Sequence, residues 1–530
     1  MRKYVIALAA IAVFISFFRL GAVTLFDVDE AVFAQATKEM VESGDWITPT
    51  YNGVNRYDKP IFFYWLMAGS YKAFGINEFA ARFPSALSGI LLAMSLFLFA
   101  AQFGNAREAF YAAVSFLVSV YFFMYSHAAV TDMALSLFIT LSLFSFFLSL
   151  KKNHLFIYGF YAFSALAFLT KGLIGIVFPF GIAIIYLFAS EQFRGIRKVF
   201  DLKAVFVFLV VALPWYTAEY MANGNEFIQQ LFIKHHFARY AGVISGHKGP
   251  IYYYVPVMIA GLFPWIAFLP AGITAVISRI RSRRDIRAGH DDPGLFLLTW
   301  FCFIFAFFSF STTKLPNYIL PAIPAVSILI SKGMFRNTEP SDFRWAVRTP
   351  QGKRYAEVFI AIASLVIGVA FVFSKAYLEN SGIHDAVWTY YAAAIMCMLT
   401  LGCLYALLKG KSSYGYISAA MVALLGLISA TALPAASQYL QGTLYEYSKY
   451  AGSILKDDEK IVAYGMNNPS IVFYSGHRII NVRSQKKLAP ELQPNTTYVA
   501  ITKERDVAAL KELGFGLVKT DGRYALLERK

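Results

Sequence analysis

Two short acidic motifs near the N-terminus are the part of the chain best suited to chemistry. Asp29 and Glu30 follow directly on a hydrophobic stretch, and an Asp-Lys-Pro motif at 58–60 comes just before an aromatic run at 62–65. A carboxylate can remove the proton of an acceptor hydroxyl, and an ammonium can bind a phosphate. Together with aromatic residues at a membrane surface, these motifs indicate work on an anionic group attached to a lipid.

Both motifs also have a purely structural interpretation. Asp29 could cap the helix predicted by the sequence AVFAQATKEMVESG, because aspartate is a good helix cap. The motif at 58–60 could be a surface ion pair ahead of a helix that has Pro60 in its first turn. The aromatic run suits sugar or lipid contact, and equally an interfacial aromatic belt. The residues alone leave these alternatives open.

Further polar residues lie at the ends of apolar stretches. Asp132 opens one stretch, and Lys171 lies between two others in the sequence LTKG. A helix cap and a lysine that extends to the interface are the simpler explanations of these two. Lys314 in the sequence STTKLPNY is a stronger candidate for a functional residue, because a lysine before a helix that starts with proline is well placed to bind an anion. The loop 219–250 adds residues that could bind a metal or an anion, namely His235, His236, Arg239 and His247.

The composition indicates a polytopic membrane protein. Hydrophobic residues make up 58% and charged residues 15% of the 530 residues, and the mean hydropathy is +0.53. Soluble domains are nearer half apolar and about a quarter charged. The first apolar stretch resembles a signal peptide, but we expect it to be retained as a membrane helix. The net charge of +16 is expected to serve orientation and lipid contact rather than nucleic-acid binding.

Apolar segments of about 20 residues predict about thirteen membrane spans. The sequence LTKG divides the segment 154–190 into two of them. The predicted spans begin near Tyr4, Phe83, Ala109, Val130, His154, Gly172, Lys203, Ile251, Gly294, Pro316, Ala356, Ala386 and Tyr414.

The distribution of basic residues predicts the orientation of these spans. Short loops rich in lysine and arginine belong in the cytoplasm, which leaves the polar insert 26–82 and the loop 219–250 on the opposite side. The acids, lysines and histidines named above then all lie at outer helix ends or in outer loops. Ionisable groups beside a bilayer are costly and are commonly functional or paired.

The sequence pattern changes over about the last hundred residues, where long apolar stretches give way to shorter runs. Short β-like runs and one amphipathic helix predict a small α/β domain over 438–530 on the outer side of the membrane, following a transmembrane domain over 1–437. The domain shows no phosphate-binding loop, so no nucleotide cofactor is expected. Cys302, Cys397 and Cys403 have neither paired nor metal-binding spacing and are expected to be plain apolar positions.

Taken together, the motifs resemble those of bacterial polyprenyl-phosphate sugar transferases related to the protein mannosyltransferases. Within that group the lipid A 4-amino-4-deoxy-L-arabinose transferases are the most similar. The resemblance covers residues 1 to about 335, and it rests on the Asp29-Glu30 pair, the motif at 58–60, LTKG, HHFARY–GHKGPIYYY and KLPNYILP. Two positions differ from the lipid A transferase pattern: Val32 stands where that pattern has arginine, and Asp58 where it has glutamate.

This resemblance implies an all-α polytopic GT-C fold and a sugar donor carried on a polyprenyl phosphate. It implies Asp29 as the base, with Glu30 and Asp132 as further catalytic acids. The residues implied to bind the donor phosphate are Lys59, Lys314, Arg239 and Tyr318. Asp58 and His247 correspond to a divalent-metal site.

The implied reaction is an inverting displacement at the anomeric carbon in the inner membrane, with the active site facing the periplasm. The implied acceptor is lipid A or another glycan, and protein O-mannosyl transfer is the nearest alternative. A transporter or lipid flippase is the main alternative of a different class, and for it one expects charges at mid-membrane and related halves.

Overall fold

The computed structural model is mostly helical, with a short hairpin near the N-terminus and a sheet near the C-terminus. It describes residues 1–231, 249–281, 293–335, 349–383, 385–456, 459–494 and 496–529.

The helices of the first 335 residues are α1 (Arg2–Phe17), α2 (Asp29–Ser43), α3 (Phe62–Phe74), α4 (Glu78–Phe103), α5 (Ala106–Leu117), α6 (Val120–Ser126), α7 (Asp132–Lys151), α8 (Phe156–Lys171), α9 (Ile174–Ala189), α10 (Arg194–Val199), α11 (Leu202–Ile228), α12 (Tyr254–Leu262), α13 (Leu269–Arg281), α14 (Gly294–Phe310) and α15 (Ile323–Phe335). The helices that follow are α16 (Thr349–Asn380), α17 (Trp388–Lys409), α18 (Tyr414–Leu427), α19 (Leu433–Ile454), α20 (Ser470–Ser475), α21 (Gln485–Leu488) and α22 (Val507–Lys511).

Many of these helices have the length and composition of membrane spans. Within the described ranges, seven helices are long and apolar enough to cross a bilayer, or nine if each of two bent pairs is one span. Three shorter apolar helices, α8, α9 and α14, accompany them. The chain is therefore a multi-pass membrane protein. The expected total of about thirteen spans stays a prediction, because short and bent helices such as these need not each cross the bilayer.

The segment 154–190 forms two helices, as the sequence LTKG predicted. Helix α8 ends at Lys171, and the next residue, Gly172, has a φ of 72°. Glycine adopts this left-handed conformation at little cost, and it ends the helix. The second helix, α9, starts two residues later. The break leaves Lys171 at a helix end, where its side chain can reach a neighbouring segment.

The polar insert between α1 and α4 is folded rather than an open loop. Helix α2 covers the sequence predicted to be helical and ends at Gly44, which is left-handed with a φ of 74°. A two-stranded hairpin, β1 (Thr50–Tyr51) and β2 (Val54–Asn55), connects α2 to α3. The aromatic run forms the first turn of α3, where Phe63 and Tyr64 are fully buried. These two rings are therefore packed inside the protein rather than placed in an interfacial belt.

The C-terminal region contains a five-stranded sheet in the order β4-β3-β5-β7-β6. Its strands are β3 (Ile461–Tyr464), β4 (Ile479–Val482), β5 (Tyr498–Lys503), β6 (Gly516–Thr520) and β7 (Tyr524–Arg529). Strand β3 pairs in parallel with β4 and β5, and β7 pairs antiparallel with β5 and β6. All five strands fall on runs that the sequence predicted to be strands, and α22 lies in the predicted amphipathic helix.

One long helical segment joins the membrane part to this sheet. Helix α18, a π-helical turn at Ile428–Ala432 and helix α19 follow one another without a break. Leu444, Tyr447 and Ala451, in the second half of α19, belong to the hydrophobic core of the sheet. The expected domain boundary at residue 438 thus lies inside a helix. We use "C-terminal region" below for Leu433–Arg529.

Candidate functional site

A buried ion pair between Glu30 and Arg82 fixes the polar insert to the helix bundle. Arg82 Nε donates to Glu30 Oε1 at 2.7 Å, and Nη2 donates to Oε2 at 2.8 Å. The two side chains are 5% and 1% exposed respectively. A two-point pair of guanidinium and carboxylate fixes orientation as well as charge. The start of α2 is thereby attached to the start of α4.

The same pair binds backbone groups from two other segments. The backbone N–H of Phe26 donates to Glu30 Oε2 at 2.8 Å, and that of Ala129 donates to Oε1 at 2.9 Å. Arg82 donates to three carbonyls of the chain that leads out of α1, those of Leu20, Val23 and Thr24. A carboxylate has about four acceptor positions, and four donors therefore occupy those of Glu30. Its implied role as a catalytic acid stays a prediction, and the contacts observed are those of an anchor.

Asp29 differs from its neighbour in having an accessible carboxylate. It is the first residue of α2 and is exposed. In the part of the chain that the structure describes, no hydrogen-bond or ion-pair partner of its side chain is found. The N-terminus of a helix stabilises a carboxylate. Asp29 therefore combines a fixed backbone position with a side chain that can accept a proton.

A second cation–carboxylate pair follows the hairpin. Arg56 Nη1 lies 3.0 Å from Asp58 Oδ2, and Arg56 Nε donates to Tyr64 Oη at 3.1 Å. Burial lowers the pKa of the Arg56 guanidinium, but the nearby Tyr64, Asp58 and Asp29 outweigh burial, and the pKa is raised. Arg56 therefore places a permanent positive charge within electrostatic range of Asp29. Lys59 Nζ donates to the carbonyl of Asp58 at 3.0 Å, which holds this ammonium at the same turn.

The hairpin that leads to Arg56 is hydrogen-bonded to α2. The carboxylate of Glu39 accepts from Thr50 Oγ1 at 2.8 Å and from the backbone N–H groups of Asn52 and Gly53 at 2.7 and 3.1 Å. Asn52 and Gly53 form the turn, with φ values of 56° and 74°. An Asn-Gly pair is favoured in such a turn because both residues tolerate positive φ. The hairpin that precedes residues 56–59 is thus attached to α2.

Asp132 lies at the centre of another cluster. Its Oδ1 accepts from Lys171 Nζ at 2.6 Å and from Asn317 Nδ2 at 2.9 Å. The Lys171 ammonium also lies 5.8 Å from the centre of the Tyr318 ring, within range of a cation–π interaction. The cluster joins the start of α7, the end of α8 and the chain before α15. Asp132 and Tyr318 keep their implied roles as predictions.

Lys314 is directed at the end of α14. Its ammonium donates to the carbonyls of Ser309 at 2.8 Å, Ser311 at 2.5 Å and Phe308 at 3.4 Å. A lysine commonly caps the last carbonyls of a helix in this way. Burial lowers the pKa of Lys314, whose side chain is 5% exposed. In this arrangement its three N–H donors are all directed at carbonyls, so binding of a phosphate would require exchange of at least one of them.

These contacts bring together the segments that carry Glu30, Asp132 and Lys314. Ala129, which is bonded to Glu30, lies three residues before Asp132, and Asn317, which is bonded to Asp132, lies three residues after Lys314. Arg239 and His247 lie outside the described residues, as do His235 and His236.

The metal site implied at Asp58 and His247 stays a prediction. Within the described ranges, no group of three or more histidine, cysteine or acidic residues could hold a metal ion. Arg56 already provides Asp58 with a positive charge at 3.0 Å.

Three structural residues of the site were missed by the sequence reasoning. Arg82 was named only as the end of the insert, and Arg56 was not singled out. The clamp around Glu219 was also missed: this fully buried acid accepts from Thr48 Oγ1 and Asn223 Nδ2, each at 3.0 Å. An ionised arginine or acid inside an apolar or helical run is energetically costly unless it is paired. The presence of such residues in the sequence could therefore have indicated buried ion pairs or hydrogen-bonded acids.

Comparison with known proteins shows what the chain as a whole is similar to. A family model described as dolichyl-phosphate-mannose-protein mannosyltransferase matches residues 58–217. An undecaprenyl phosphate-alpha-4-amino-4-deoxy-L-arabinose arabinosyl transferase 2 of Proteus mirabilis is 30% identical over 367 residues, which are 68% of this chain and 64% of that protein. A transferase of the same printed name, without the numeral, from Shewanella sediminis is 28% identical and covers 77% of this chain and 72% of its own length.

The resemblance predicted from the motifs is confirmed. The chain aligns with just under two thirds of the Proteus relative's length. A solved structure, ArnT from Cupriavidus metallidurans bound to undecaprenyl phosphate, matches 99% of this chain and 98% of its own with a TM-score of 0.83 at 24% identity. The oligosaccharyltransferase of Archaeoglobus fulgidus matches with a TM-score of 0.54 at 11% identity, over 95% of this chain and 69% of its own. These likenesses establish the fold, and the predicted GT-C membrane fold with a small strand-containing C-terminal part is confirmed.

Proposed function

We propose that this chain is an integral membrane glycosyltransferase that takes a sugar from an undecaprenyl-phosphate donor and transfers it to lipid A or a related glycan. The observation that carries the proposal is the placement of Asp29, an exposed carboxylate, within electrostatic range of Arg56, whose turn also carries Lys59. The printed names of the two bacterial relatives specify a lipid-phosphate sugar donor. We place the enzyme in the inner membrane with this end of the bundle facing the periplasm, which agrees with the charge distribution of the loops.

The proposed reaction is a single displacement at the anomeric carbon. Asp29 removes the proton of the acceptor hydroxyl while its oxygen forms a bond to the anomeric carbon. The bond between that carbon and the phosphate oxygen breaks, and its electron pair leaves with the lipid phosphate. Arg56 and Lys59 stabilise the negative charge that develops there. Attack from the side opposite the leaving group inverts the anomeric configuration.

Asp132 and Lys171 are proposed to shape the site rather than to take part in proton transfer. Their pair positions Asn317 and the ring of Tyr318, which lie after Lys314 in the chain. Lys314 is proposed to assist the donor phosphate by exchanging a carbonyl partner for a phosphate oxygen. An ammonium on a flexible stem can make this exchange more readily than a guanidinium fixed at two points.

A protein O-mannosyltransferase is the second candidate. It is favoured by the family-model match over residues 58–217, which is described by a mannosyl-phosphate donor and a protein acceptor. The fold and the proposed chemistry are the same for both candidates, and they differ in the acceptor. The choice between them therefore depends on the acceptor assay.

Purified protein incubated with donors and acceptors tests the proposal. The donors are undecaprenyl-phosphate aminoarabinose and polyprenyl-phosphate mannose, the acceptors are lipid A and a serine-rich peptide, and products are identified by mass spectrometry. We expect a glycosylated lipid A that has the anomeric configuration opposite to that of the donor. A mannosylated peptide would favour the second candidate. Transport of a solute across vesicles without any glycoside product would overturn both.

A further inference from the structure

A carboxylate of the polar insert is inserted into the C-terminal region. Asp27 lies two residues before Asp29 and does not belong to the proposed reaction. Its Oδ1 accepts from the backbone N–H of Ser470 at 2.8 Å, and its Oδ2 accepts from Ser470 Oγ at 2.6 Å and Asn468 Nδ2 at 2.9 Å. These donors lie in the turn after β3 and at the first residue of α20, more than four hundred residues away in the sequence.

Helix α19 adds a further contact to the same residue. In the amide orientation that satisfies both of its groups, Gln441 donates to Asp27 Oδ2 and accepts from the Asp27 backbone N–H, each at 3.2 Å. Burial raises the pKa of Asp27 in spite of these hydrogen bonds. A buried carboxylate is costly unless its oxygens are satisfied, so the match between this acid and its donors is specific.

The two residues that precede Phe26 are held by the same region. Thr24 Oγ1 lies 2.8 Å from Ser437 Oγ, and the backbone N–H of Leu25 donates to Tyr474 Oη at 2.7 Å. Tyr474 Oη in turn donates to Glu78 Oε1 at 3.0 Å, at the first residue of α4. The C-terminal region therefore contacts the membrane part both at the insert and at a helix that anchors it.

The segment 24–27 is thus held from two sides. On one side, Arg82 Nη2 donates to the carbonyl of Thr24 at 2.8 Å, and Glu30 Oε2 accepts from the backbone N–H of Phe26 at 2.8 Å. On the other side, the C-terminal region binds Thr24 Oγ1, the backbone N–H of Leu25 and the side chain of Asp27. Asp29 lies two residues after this doubly held segment. A reacting group must be held to within about 0.5 Å of its working geometry.

We propose that the C-terminal region is a working part of the active site, and that it positions Asp29 through Asp27. The inference rests on the proposed function, in which Asp29 is the base. Asp27 is a positioning residue, since it contacts neither donor nor acceptor. A displacement of about 1 Å in a catalytic group can lower a rate about a hundredfold, so loss of this contact lowers turnover without removing the base.

Two adjacent asparagines provide a matched test. Asn468 donates to Asp27, whereas Asn467 accepts from Asn481 Nδ2 at 3.2 Å and is bonded on the other side of the same turn. Asn468→Ala, Asn467→Ala and Asp27→Asn are compared with the wild type in full-length protein. Turnover, the KM for the donor, and hydrogen exchange of the backbone amides of residues 24–30 are measured.

For Asn468→Ala and Asp27→Asn, we expect turnover to fall about tenfold or more, with the donor KM unchanged within about twofold and faster amide exchange in residues 24–30. Asn467→Ala should match the wild type in all three measurements. The double variant Asp27→Asn/Asn468→Ala should be no slower than Asp27→Asn alone, because both substitutions remove the same contact.

Three results would overturn the inference. They are wild-type turnover in Asn468→Ala and Asp27→Asn, a loss confined to the donor KM, and an equal loss in Asn467→Ala. If the wild type transfers no sugar, the proposed function fails, and amide exchange alone then decides. Faster exchange of residues 24–30 in Asn468→Ala would still show that the C-terminal region holds this segment, and unchanged exchange would refute it.

Discussion

Lys171 Nζ donates to Asp132 Oδ1 at 2.6 Å, and this pair joins the last residue of α8 to the first residue of α7. The lysine and the aspartate side chains are 13% and 7% exposed, so water screens the contact poorly. Asn317 shares the same carboxylate oxygen. Three segments that are distant in the sequence therefore depend on one acid for their relative placement at the site.

Removal of the charge on Asp132 should destabilise the protein and lower activity. Asp132→Asn leaves the Lys171 ammonium without its carboxylate in a buried position, and breaking such a pair costs about 3–5 kcal/mol. Thermal unfolding in detergent should show the loss. Lys171→Met combined with Asp132→Asn should be less destabilised than the sum of the single variants. Ser136→Ala, one turn further along α7, removes a hydroxyl bonded to the carbonyl of Asp132 and serves as the local control.

Glu30→Gln should be a folding variant rather than a purely catalytic one. The amide cannot accept all four donors that the carboxylate binds, and the buried Arg82 loses its counter-charge, so we expect the free energy of unfolding to fall by about 3–5 kcal/mol. Denaturant unfolding measures this change. Glu42→Gln on the same helix is the control, because Glu42 is exposed. Wild-type stability of Glu30→Gln together with lost transfer would instead favour the catalytic role.

Asp29→Asn should separate activity from stability. The residue is exposed and lies in the first turn of α2, so loss of its charge should change stability by no more than about 1 kcal/mol. Loss of a general base should lower transfer by about 10²–10⁴-fold. The rate is measured with lipid-phosphate donors, and Asp45→Asn in the following loop is the control. Full activity of Asp29→Asn would remove this residue from the base role.

Lys314 should make the free energy of unfolding depend on pH in the alkaline range. Its pKa is lowered in the folded state by burial, so the folded state binds fewer protons than the unfolded state between that lowered pKa and the ordinary lysine pKa of 10.5. Stability should therefore rise with pH across that window. Urea unfolding at a series of pH values should show the rise in the wild type and its absence in Lys314→Met. Lys460→Met, an exposed lysine, should keep it.

Much of the fold follows from patterns that act over short distances. Apolar length predicts the membrane helices, alternation predicts the C-terminal strands, and Gly172 with its preceding lysine predicts the break between α8 and α9. Asn52-Gly53 was a readable hairpin signal that the sequence reasoning passed over. Local chemistry of this kind depends on neighbours in the chain and is visible without coordinates.

The partners of the charged residues could not be predicted in the same way. Nothing local shows that Glu30 meets Arg82, 52 positions later, or that Asp27 meets Ser470. Lys314 was expected to face a phosphate, and it caps the end of α14. These contacts are set by the packing of whole helices. Sequence therefore identified which residues are chemically unusual, while the structure separated exposed groups such as Asp29 from anchors.

The unbroken helical segment from Tyr414 to Ile454 has a geometric consequence. Its 41 residues extend about 60 Å at 1.5 Å per residue, about twice the thickness of the hydrocarbon layer. About half of this segment therefore extends beyond the hydrocarbon layer, and its C-terminal end packs into the core of the sheet. The segment acts as a rigid spacer. Its length sets the distance between the sheet and the lipid headgroups, and hence the room left for an incoming acceptor.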